Sequence, residues 1–118
     1  MSALISLDKD VCCFLNGALF EVVLTSIRST DPPVAAALEE AIAVNFILLE
    51  REEPETREKL RRLIHERFEE LLRRGADDPI SKEHEGIWPW YEKSVEEVVH
   101  MFRTGTSPPP PDRPERAK

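Results

Sequence analysis

The chain has little of what small-protein chemistry is usually built from. Its 118 residues include two cysteines, four glycines and one tyrosine. Two adjacent cysteines, Cys12 and Cys13, cannot form a disulfide framework, so a reducing, cytoplasmic setting is expected. Four scattered glycines leave no phosphate-cradling loop, and no Gly-x-Ser-x-Gly, His-Glu-x-x-His or Cys-x-x-Cys occurs. No apolar run approaches the roughly 18 residues of a membrane span. The stretch MSALISLDKDV also lacks the basic start and long apolar core of a cleaved signal. Positive charge is in deficit, with 16 Lys and Arg against 23 Asp and Glu, a net −7. That balance argues against a nucleic acid or an anionic membrane as a general partner, and it fits a protein partner.

Apolar pattern is what the chain does have. Hydrophobic residues at 41% and charged residues at 33% suit one domain with one modest core. Residues 1–103 read as that domain. Residues 104–118 hold five of the ten prolines and no large apolar side chain, and they read as a disordered tail. The Pro108–Pro111 run also suits a polyproline ligand for an aromatic groove.

The stretch DPPVAAALEEAIAVNFILLER, residues 31–51, predicts a central helix around which the rest packs. Asp31 and the prolines suit its first turn, and Pro54 ends it near Glu52–Glu53. Between Val34 and Leu49 only Glu39, Glu40 and Asn45 are polar, so most of its sides need cover. Leu60, Leu63, Ile64, Phe68, Leu71 and Leu72 predict an amphipathic third helix closed by Gly75. Ala76 to Gly86 reads as a polar loop. Trp88, Tyr91, Val95, Val98, Val99 and Phe102 predict a fourth helix ending before Gly105.

Residues 4–28 are ambiguous. Leu7, Val11, Phe14, Leu15, Ala18, Leu19, Val22 and Val23 follow helical spacing, whereas Asn16–Gly17 is a hairpin-turn signal. The longer helical stripe favours a helix over the hairpin. The expected fold is therefore all-α, a bundle of about four helices, with a β-hairpin as the alternative for the first segment.

Candidate site residues follow from what such a bundle does not need. Asn45, in mid-helix on an apolar face, would fix register or line a pocket. Arg67 interrupts the third helix's apolar stripe, where it would snorkel or pair with a carboxylate such as Glu21. Trp88, Trp90 and Tyr91 form an aromatic cluster in which Trp90 points away from the core. Phe46 and Ile47 on the central helix, with Phe20 and Leu24 on the first, are surplus apolar positions that predict a homodimer interface. Glu97-x-x-His100 has metal-ligand spacing, but the apolar stripe turns it to solvent, and His65 and His84 complete no ligand set. No metal or cofactor is expected.

The composition thus points away from an enzyme and toward a small acidic interaction or regulatory protein: an adaptor, inhibitor, chaperone-like factor or accessory subunit. A small-molecule site or enzyme pocket between helices, near Asn45, Arg67 and Trp88–Tyr91, is the alternative. A DNA-binding role is disfavoured because Glu55, Glu58, Glu66, Glu69 and Glu70 interleave with the arginines of the third helix.

Overall fold

Strand β1, Ser2–Asp8, turns at Lys9–Asp10 into the antiparallel strand β2, Val11–Asn16. The computed structural model describes residues 2–108, so the expected tail lies outside the described residues from residue 109 onward. The hairpin overturns the expected first helix. Residues 3, 5, 13 and 15 (Ala3, Ile5, Cys13, Leu15) are buried on one face, while Ser2, Phe14 and Asn16 are exposed on the other. That is the period-two pattern of a half-covered sheet. Asn16–Gly17 is not its turn. The Asn16 side chain instead accepts from the amides of Ala18 (2.8 Å) and Leu19 (3.1 Å), capping helix α1, Gly17–Thr25.

The expected central helix is divided. Helix α2 runs Pro32–Val44 with prolines in its first turn, and Asn45 closes it in the left-handed conformation, φ 67°. The chain then extends as β3, Phe46–Leu48, and tightens into a 3-10 turn at Leu49–Arg51. Strand β3 lies parallel to β1, with Leu4 opposite Phe46 and Ile5 opposite Ile47. The Leu4 amide donates to the Asn45 carbonyl at 3.2 Å. The sheet order is β2-β1-β3, and the fold is mixed α/β, not all-α.

Helix α3, Pro54–Arg74, ends at Gly75 as its spacing predicts. The expected polar loop after it contains a 3-10 turn and a one-turn helix, α4, Pro79–Lys82, capped by the Asp78 carboxylate through the Ile80 amide. Helix α5, Trp88–Thr104, closes on Gly105. These helices cover one face of the sheet around a single core. Phe20, Leu24 and Ile47, expected at an interface, are buried in that core with Leu60, Phe68, Val98 and Phe102. The sheet supplies a layer that an all-α reading lacked, and their burial needs no second subunit.

Candidate functional site

The other face of the sheet is where apolar surface remains. Residues paired across strands point to the same side. Leu4 pairs with both Phe14 and Phe46, which sets Phe14, Leu4 and Phe46 in one row on the face opposite the core. Phe14 is 66% exposed and Phe46 42%, and Val44, just before β3, is 46% exposed. One end of this face is occupied. Ser6 is buried there and donates to Glu50 Oε1 at 3.0 Å. Ser107 accepts from the Cys12 amide at 3.0 Å and donates to the Asp10 carbonyl at 3.2 Å. Among the described residues the row from Phe14 to Phe46 is left open, with no charged side chain among Ser2, Leu4, Ser6, Cys12, Phe14, Asn16, Phe46 and Leu48.

Phe46 belongs to this row, while Ile47 faces the core from the same strand. Asn45 does not stand in mid-helix. It is the half-buried hinge between α2 and β3, a position its tolerance of positive φ suits.

Arg67 pairs with Asp78 and not with Glu21, which is exposed. Two parallel hydrogen bonds, 3.0 and 2.9 Å, join its guanidinium to the fully buried Asp78 carboxylate, and its Nε donates to Ser26 Oγ at 2.8 Å. Burial pushes the Asp78 carboxyl up, but the Arg67 hydrogen bonds and the Ile80 amide outweigh it, and the group sits below its ordinary value. The cavity beside Arg67 has walls from Val22, Thr25 and Ser26 of α1 and its C-terminal end and from Pro79 and Ile80 of α4. Neither Asn45 nor the Trp88–Tyr91 segment joins it, so the three features that suggested a ligand pocket do not converge there.

Trp88 and Tyr91 are half-buried against the core, and Trp90 is 81% exposed at the start of α5. Glu97 is half-buried and His100 exposed, and among the described residues no three His, Cys, Asp or Glu side chains gather to hold a metal.

His65, half-buried on α3, faces α5. Its ring stacks on Phe102, 5.1 Å between centroids, and its Nε2 lies 2.8 Å from Glu69. Arg103 donates two hydrogen bonds to Glu69, at 2.7 and 2.5 Å, tying α5 to α3. The Arg103 bonds are the main reason the Glu69 carboxyl sits below its usual value, with His65 adding to them.

Cys12 and Cys13 face opposite sides of β2 and cannot share a ligand. Burial first, then the Glu97 and Cys12 charges, push the Cys13 thiol up to about 12, so it stays protonated and unreactive at neutral pH. No protein family, curated protein or solved structure matches this chain.

Proposed function

We propose that the protein is a non-enzymatic interaction module, an adaptor or regulatory subunit, that binds a partner protein through the open face of its sheet. One observation carries this reading: the Phe14–Leu4–Phe46 row is apolar and uncharged on a chain of net −7, with Phe14 66% exposed. Large exposed aromatics grouped on one surface mark contact sites more often than chance exposure does. The partner implied is a protein with a complementary apolar patch, and neither a nucleic acid nor a membrane. With only two cysteines, both free, the chain has no disulfide framework, and a reducing, cytoplasmic location is the reading adopted. No helix among the described residues is long and apolar enough to cross a membrane.

The test compares affinity capture from the native cell by the wild-type chain and by a Phe14→Ser/Phe46→Ser variant. Both positions are exposed, so the variant should keep its circular dichroism and melting temperature while losing the wild-type's reproducible partner. A partner retained by the variant would place the contact elsewhere and overturn the reading.

A further inference from the structure

The two edges of the sheet differ. The β2 edge is closed at Cys12, whose amide donates to Ser107 Oγ at 3.0 Å. Among the described residues no strand pairs with the outer edge of β3. In a parallel ladder, alternate residues turn both backbone groups to the same side. The Leu4–Asn45 hydrogen bond and the Ile5–Ile47 register aim the N–H and C=O of Ile47 at β1. Those of Phe46 and Leu48 therefore point away from β1, across the edge. Beside that edge lies a groove of about 270 Å³ between β3 and α2, lined by Ala37, Ala41, Val44 and Phe46 with the charged side chains of Glu40, Arg51 and Glu52.

We propose that two copies of the chain pair β3 against β3, antiparallel and about a twofold axis at Ile47, joining the two sheets into one of six strands. The hydrogen-bond pattern fits its own rotated image. Rotation about Ile47 sets Phe46 opposite the copy's Leu48, and each such pair can exchange both N–H···O bonds, giving four in all. Ile47 then meets the copy's Ile47 at a non-hydrogen-bonded pair, where side chains approach most closely, on the face that both cores already occupy. Arg51 lines the groove together with Glu40 and Glu52, so each copy offers both signs of charge beside its β3 edge, although each chain carries a net −7. The contact uses the backbone edge of β3, and its amide-protection readout separates it from the open-face reading above, with which it shares Phe46.

The test combines light scattering with residue-resolved amide exchange on the full chain, from low to high micromolar concentration. The expected mass rises toward twice the 13.5 kDa chain. The Phe46 and Leu48 amides should gain protection over the same concentration range, while the Ile47 amide is protected throughout. Phe46→Lys puts a charge on the edge, a device that blocks strand pairing. It should weaken dimerisation at least ~10-fold with unchanged circular dichroism, a loss of about 1.4 kcal/mol. A monomer mass at every concentration would overturn the proposal. So would a dimer whose Phe46 and Leu48 amides exchange as in the monomer, or one that Phe46→Lys leaves intact. Should Phe46→Lys fail to fold, the wild-type exchange pattern decides alone.

Discussion

Arg67 spends its guanidinium on Asp78 and Ser26 at a point where both carboxylate oxygens are out of reach of water. Removing one member of such a pair strands the other as a buried charge, at a cost of roughly 3–5 kcal/mol. Arg67→Met should therefore lower the urea midpoint sharply with little change in the slope. The pH response should also reverse sign. In the wild type the folded Asp78 pKa lies below its unfolded value. The pair's contribution is then fully present above about pH 4 and drains away as pH falls through the folded value. Without Arg67, burial is left to dominate, the folded pKa rises above the unfolded one, and acid should stabilise the variant relative to neutral pH. Denaturation curves at two pH values separate these outcomes. At Cys13, with its thiol held to about 12, a thiol reagent at pH 8 should modify only Cys12 in the native protein and both residues in urea. Early labelling of Cys13 would show that β2 opens.

At the scale of elements, the junction of α3 with α4 is set by one glycine. Gly75 has φ 56°, and a Cβ there would lie 3.3 Å from Trp88 Nε1. Gly75→Ala thus combines left-handed strain with pressure on the start of α5. It should cost more than about 1 kcal/mol and shift the tryptophan emission. An unchanged melting temperature would show that Trp88 yields freely. Helices α3 and α5 were legible because each keeps a long apolar stripe and stops at a glycine. The hairpin was not. Its turn, Lys9–Asp10, carries no glycine, while the strongest turn signal, Asn16–Gly17, serves as a helix cap because the Asn16 oxygen finds the Ala18 and Leu19 amides. The break in the central helix was equally hidden. Ala43-Val44-Asn45-Phe46-Ile47-Leu48 is a continuous apolar run with one asparagine, and such a run suits a buried helix or a buried strand alike. What selects the strand is β1, some forty residues earlier, which no local window contains. For the candidate surface the same fact applies: Phe46 was singled out from its apolarity, but Phe14 and Leu4 join it only once the register is known.

For the whole molecule, net charge opposes compaction, and the ion pairs spread along α3 and α5 offset part of it. Raising ionic strength from about 0.01 M to 0.15 M shortens the screening length from roughly 30 to 8 Å. With a net −7, the melting temperature should rise over that range. A fall would show that pairs such as Glu69–Arg103, and Lys59 of α3 with Asp31 at the start of α2, outweigh the general repulsion.

The parallel pairing of β1 with β3 also bears on how the chain is made. The β1–β2 hairpin leaves the ribosome before β3, and Leu4 cannot meet Phe46 until α1 and α2 have followed. At about 5–20 residues per second, β1 waits on the order of two to eight seconds for its second neighbour. During that interval the nascent hairpin carries Leu4 and Ile5 with no third strand beside β1. A two-stranded ribbon alone is marginal, so early life on the ribosome is when this chain is most exposed to misassociation and most in need of a chaperone.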